Sequence, residues 1–452
     1  AFVRAARADY EKDGTKDAHA AWLDAAATMH REYPDDDEVT LQYALALLSV
    51  YGNQSAHVRE HMEAGALALQ VLQHNPEHPG AAHYAIHAFD SPDHAILALP
   101  AARMYARIAP AGSHALHMPS HVFAQLGMWR DVVASNEQAY AASVAWEKSR
   151  GHTPSEYDWH SYSWLVAAHL ELGQPAAARK LIDEARALLV AANDDSSALR
   201  FSYTMMVGNY ATQTGRWDEL EAMIAPVFAP AVDEHGAAGA TVACAAHAPG
   251  GGGATREPVV PYARLYANEL RAEAAIRLGD ERTAVKRVAD MKAVRAQMAA
   301  WKDEFSDDLT ARFEATREAL LARAHAGTKP AAAAEKKVVE ALERREKLES
   351  GDDSSGPAMD RTLHELLGEA LLAIGKPRDA LTQFQLDLHA RPNRALALLG
   401  AARAAKAAGE TQKARAHYGA LAELWKDADA DLPGFAEARA GASDPSRAES
   451  VR

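Results

Sequence analysis

Six glycines, Gly127, Gly173, Gly215, Gly279, Gly375 and Gly409, each close one run of helical period and stand just before another. The runs are built from Ala with Leu, Glu and Arg, as in WLVAAHLELGQPAAARKLIDEARALL (164–189), HELLGEALLAIGKPRDALTQFQLDLHARP (364–392) and LLGAARAAKAAGETQKARAHYGALAELW (398–425). Alternating β-branched strands are nearly absent, so the fold class is all-α. Gly and Ala let the two helices of a pair approach closely. Each pair then leaves an apolar face that only the next pair can cover, and the pairs must stack. The N-terminal part reads the same way without the glycine. Helices are expected near 15–33, 39–51, 57–74, 80–90, 93–108 and 114–126, punctuated by Pro34, Pro76, Pro79, Pro92 and Pro110.

A helix, a glycine turn and an Ala-rich second helix followed by Pro resembles the tetratricopeptide (TPR) repeat. The resemblance is clearest at 364–425, where Pro392 closes one repeat and Gly375 and Gly409 stand 34 residues apart, the TPR period. The other intervals are stretched by insertions. What the resemblance implies is a TPR-like α-solenoid of stacked antiparallel helix pairs with irregular repeats. Its first helices would line a concave face. The expected organisation is N-terminal repeats over 1–228, a Gly/Ala-rich loop over 229–257, and further repeats over 258–327. A charged helix and linker over 328–357, a C-terminal TPR pair over 358–440 and a tail over 441–452 complete it. The 229–257 loop, with four glycines at 250–253, is either a flexible connection or a lid over the concave face.

Composition removes several function classes. The 62 acidic residues outnumber the 48 basic ones, for a net charge of −14, and no basic run offsets this locally. Neither nucleic acid nor an anionic membrane surface is an expected partner. No stretch of 18 or more apolar residues suggests a membrane span. The lone Cys244 allows no intramolecular disulfide and no zinc ribbon, so cytoplasmic and periplasmic locations both stand. Phosphate-loop, dinucleotide-binding and nucleophile-elbow motifs are missing; the glycines at 250–253 lack the following Lys-Ser/Thr.

Histidine is where chemistry is concentrated. Eight of the 21 fall within residues 74–121, far above the density elsewhere. In GAAHYAIHAFDSPDHA (80–95), His83, His87 and Asp90 stand at i, i+4 and i+7 and share one helix face. In SHALHMPSHVFAQLG (113–127), His117 and His121 are again i, i+4, with His114 three residues earlier. Two HxxxH pairs on neighbouring helices with a carboxylate make a ligand set: His83, His87, His117, His121 and Asp90. Imidazole nitrogen suits zinc, iron or copper, and Asp90 or Asp158 would orient an imidazole or ligate directly. No HExxH motif is present, so no general-base Glu is implied. The competing reading is that these histidines cap helices and pack at their interfaces. Pro119 sharpens the choice: either it breaks the first helix of a pair beside the cluster, or the helix starts there. Downstream, Tyr157, Trp159, His160 and Trp164, with Tyr162, form an aromatic cluster that either lines a ligand groove or packs as core.

AAHYAIHAFDSPDHA, LPAARMYARIAP, HALHMPSHVFAQLGMW and DVVASNEQAY together resemble a family of bacterial TPR-repeat proteins that share HYxIHAxD and HALHMPSHxF segments. The resemblance covers 80–146 and implies the repeat fold; it transfers no catalytic residue. Two functions therefore stand, the first expected and the second its alternative. One is a binding protein whose concave groove holds a protein segment or a small ligand. The other is a metal-binding protein or metal-dependent enzyme that uses His83, His87, His117 and His121.

Overall fold

The computed structural model describes residues 16–52, 57–192, 198–228, 259–298 and 361–443. These residues are helical with short connections and contain no strand. They form antiparallel helix pairs of the TPR type, with irregular repeat lengths. The 229–257 and 328–357 segments lie outside the described residues. The backbone divides into two compact units, and the boundary falls between residues 162 and 163, inside the segment expected as one run of N-terminal repeats.

The first unit contains α1 (Lys16–Glu32), α2 (Asp37–Val50), α3 (Val58–His74), α4 (Pro79–Ala88), α5 (Ala95–Ile108), α6 (Ser113–His117), α7 (Pro119–Gln125) and α8 (Trp129–Ser149). It ends in the first turn of α9 (Trp159–Glu171). Local chemistry sets the boundaries. The Asp36 carboxylate accepts from the Val39 N–H at 3.1 Å and caps α2. His78 caps α4 in the same way through Ala81, with Pro79 in the first turn where no N–H is needed. The faces that meet are paved with alanine: Ala44, Ala64, Ala68, Ala81, Ala82, Ala85, Ala98 and Ala101 are fully buried. Small side chains bring helix axes to the near end of the ordinary ~8–10 Å range. At Gly65 the approach is closer still, because a Cβ there would fall 2.3 Å from the Phe89 ring. Phe89 is the residue before Asp90, so this contact fixes where α4 delivers its carboxylate.

Pro119 does break a helix. α6 and α7 meet at Met118, which keeps helical φ and ψ, but Pro119 has no N–H to continue the ladder. The neighbouring Leu116 carbonyl is taken instead by the Ser135 hydroxyl of α8, at 2.5 Å. His117 therefore lies before the break and His121 after it.

The second unit contains the rest of α9, α10 (Pro175–Ala192), α11 (Ala198–Thr214), α12 (Leu220–Ile224), α13 (Val259–Arg277), α14 (Glu281–Met298) and α15 (Leu363–Ala373). It continues with α16 (Pro377–Ala390), α17 (Ala395–Ala407), α18 (Thr411–Leu424) and α19 (Phe435–Ala442). All six turn glycines, Gly127 included, have positive φ between 66° and 81°, a conformation that costs most other residues strain. The C-terminal TPR pair is packed around Phe384, whose ring touches Gly368 of α15 and Gly400 of α17. A Cβ at those positions would come within 2.8 and 2.3 Å of it. This pair also packs back onto the α9–α10 turn. The Trp425 indole N–H donates to the Glu171 carbonyl at 3.1 Å, and the Asp429 N–H to that of Gly173 at 2.9 Å.

Candidate metal centre

Of the eight histidines in 74–121, three have structural partners. His74 bonds Asp37 at 2.6 Å, His78 caps α4, and His94 bonds Ser91 at 3.0 Å. The other five enter two groups of three imidazoles, and the sixth ring is His160 from α9. One group is His117, His121 and His160; the other is His83, His87 and His114. The four-histidine set expected from the sequence is thus divided between two groups of three converging nitrogens. His83 and His87 on α4 converge with His114, whereas His117 and His121 flank the helix break and converge with His160. The reason is register. Within α6, His114 and His117 are one turn apart, and each enters a different group.

The first of these groups is the buried one, with His117 and His121 only 2% and 4% exposed and His160 partly covered. Its Nε2 atoms converge: His117 to His121 at 3.1 Å and His160 to His117 at 3.0 Å. The other ring nitrogens reveal the tautomers. The Asp90 carboxylate can only accept, so His121 Nδ1 carries a proton and donates to it at 2.7 Å. Gln125 donates to the second Asp90 oxygen at 3.1 Å. The Asn136 amide donates its NH₂ to the Val132 carbonyl at 2.8 Å, which turns Oδ1 toward His117. His117 Nδ1 therefore donates to that oxygen at 2.7 Å. In a neutral ring whose Nδ1 is protonated, Nε2 holds the lone pair. Two such lone pairs point at each other at 3.1 Å, and they repel unless a proton or a cation stands between them.

His117 is held neutral. Burial, first, and then the neighbouring His160 and His121 push its pKa well below the ordinary 6.5, against the Asn136 hydrogen bond, which raises it. A neutral imidazole is the form that binds metal. Two nitrogens ligating one ion at about 2.0–2.1 Å stand roughly 3 Å apart, so the spacing fits a shared ion. A ring whose far N–H donates to a carboxylate or carbonyl is the usual outer support of a metal-bound histidine. Three histidines leave a further coordination position open.

Asp90 therefore orients the His121 ring. Asp158 does something different. It accepts from the Ser113 hydroxyl at 2.6 Å, and from the N–H and hydroxyl of Ser161 at 2.9 and 2.6 Å. It thus ties the start of α6 to the start of α9 and brings His160 opposite His117. Tyr157, Trp159 and Trp164, expected as candidates for a ligand groove, are buried. Trp159 packs against Tyr140 and Tyr162, and its indole N–H is satisfied by the Pro154 carbonyl at 2.8 Å. They pack as buried residues around the start of α9, and His160 of that segment reaches the imidazoles. Asn136 was not legible as a partner, although one signal existed. It lies among Val132, Ala139 and Ser143 on the buried face of α8, where an amide needs a reason.

No family model and no curated protein sequence matches this chain. Solved helical structures do match over most of its length. The human IFIT1 dimer with PPP-AAAA shares 13% identity over 90% of this chain and 78% of that one, with a TM-score of 0.36. The TPR domain of P58(IPK) shares 13% over 89% and 98%, with a TM-score of 0.24. Yeast Tom70 shares 10% over 96% and 95%, with a TM-score of 0.30. Similarity at this level carries no ligand, partner or residue role from those proteins to this one. Among the described residues, no helix is long and apolar enough to cross a membrane.

Proposed function

We propose that this chain is a helical-repeat metal-binding protein whose buried histidines, His117, His121 and His160, hold one first-row transition-metal ion. The observation that carries the reading is the convergence of three Nε2 atoms while Asp90 and Asn136 pin the protons of His121 and His117 on the far side of the rings. Zinc, copper, nickel and iron all accept imidazole nitrogen, and zinc suits a three-histidine site with an open position. The HYxIHAxD and HALHMPSHxF segments supply Asp90, His117 and His121.

The other function left open by the sequence, a protein segment or small ligand in a groove, loses the support of Tyr157, Trp159 and Trp164, because they are buried. Stacked helix pairs still offer extended binding surfaces, and a protein partner there is compatible with a metal held inside the stack. The test is metal analysis and zinc titration of protein purified without a histidine tag. The wild type should carry or take up the ion. The partly covered His160→Ala should weaken binding while the helical circular dichroism is unchanged. A protein that takes up no first-row metal would sink the reading.

A further inference from the structure

The remaining three imidazoles, His83, His87 and His114, make a second convergence. His83 Nε2 stands 3.0 Å from His87 Nε2 and 2.9 Å from His114 Nε2, so three nitrogens again meet at the spacing of ligands on one ion. The His83 ring is stacked on Tyr105, with centroids 5.4 Å apart and planes 16° from parallel, which holds it from α5. Its surroundings differ from those of the buried group. His83 and His87 are half-buried, and His114 is exposed. The two groups share one helix, α6, and α4 leads into the residue that supports the buried one. α4 supplies His83 and His87 and is followed by Asp90, which supports the buried site. α6 supplies His114 to one group and His117 to the other, one turn along.

We propose that His83, His87 and His114 form a second, solvent-facing site for a first-row divalent cation, beside the buried one, so that the chain binds two ions. The buried ion is enclosed; the outer ion exchanges with solution and is open to an added ligand. The outer site has its own donor set and does not require the buried site to be filled, although the pairing of the two rests on the reading above.

The experiment is zinc titration of the full chain against a competing chromophoric chelator, with stoichiometry as the readout. The wild type should bind two equivalents. His83→Ala/His114→Ala should bind one, and His160→Ala should retain the outer one. Because His83 packs on Tyr105, His87→Ala serves as the second variant, expected to lower the outer affinity at least tenfold with unchanged circular dichroism. A wild type that binds one equivalent, kept in His83→Ala/His114→Ala, would overturn the outer site and leave the buried centre standing. One equivalent lost in that variant but kept in His160→Ala would support the outer site and sink the buried one. No binding at all would overturn both.

Discussion

The residues that do most at the buried imidazoles are two that lie behind the converging nitrogens. Asp90 and Asn136 decide which nitrogen of His121 and of His117 carries the proton, and so which lone pairs converge. Asp90→Asn keeps the shape but removes the charge that strengthens His121 as a ligand. It should lower zinc affinity by about 10–100-fold, as loss of an outer hydrogen-bond partner ordinarily does. Competition with a chelator of known affinity measures it; an unchanged affinity would mean that Asp90 only packs. Gly65 works at greater distance. A Cβ there would meet the Phe89 ring at 2.3 Å, and Phe89 precedes Asp90. Gly65→Ala should destabilise the chain by about 1–3 kcal/mol in urea unfolding, as overpacking does. It should also weaken zinc binding through the displaced Asp90. If stability falls while zinc affinity stays the same, the path through Phe89 is wrong.

At the scale of elements, the centre depends on a helix that stops and restarts. A continuous helix through 113–125 would bond the carbonyls of Ala115 and Leu116 to Pro119 and Ser120. Proline forbids the first bond, and Ser135 of α8 covers the Leu116 carbonyl instead. Removing that hydroxyl leaves a buried carbonyl without its side-chain donor. Ser135→Ala should therefore cost about 1–3 kcal/mol in urea unfolding, well above the cost of a surface substitution. A loss within ±0.5 kcal/mol would mean that the break supports itself. The other join is Asp158, which clamps the starts of α6 and α9 through Ser113 and Ser161. This is why His160, 39 positions beyond His121 in the chain, completes the group.

At the scale of the whole molecule, the C-terminal repeats are more than a cap on the second unit. Glu171, at the end of α9, is buried with Arg394 and Glu365. It also accepts from the Ala395 N–H at 2.7 Å. Burial, despite the attraction of Arg394, raises the Glu171 pKa from 4.5 to about 7. The folded protein then holds a proton that the unfolded chain releases above about 4.5. The stabilisation is fully present below that pH and is lost as pH rises through about 7. Glu171→Gln mimics the protonated form at every pH. Urea unfolding across pH 4.5 to 7 should show wild-type stability falling while the variant varies less, with the variant the more stable at neutral pH. Equal slopes would mean that Glu171 is not the group responsible. Arg394→Met should cost about 3–5 kcal/mol, because it strands buried carboxylates.

The sequence by itself determined the helices, their pairing and the six glycine turns, because period, small residues and turn chemistry are local. It also located the histidines and the i, i+4 pairs, which are local for the same reason. It could not tell that the His83/His87 pair gathers His114 and the His117/His121 pair gathers His160. Nor could it tell that His160 leaves an aromatic core segment to join them, or that Asn136 supports one ring. Those choices depend on which faces of α4, α6, α8 and α9 meet. Packing decides that, through contacts such as Phe89 on Gly65 and the clamp at Asp158, and no spacing along the chain encodes them. The bond between Ala395 and Glu171 joins residues more than two hundred positions apart. Only the folded chain brings such groups within reach, because their energy comes from burial that exists once the helices have stacked.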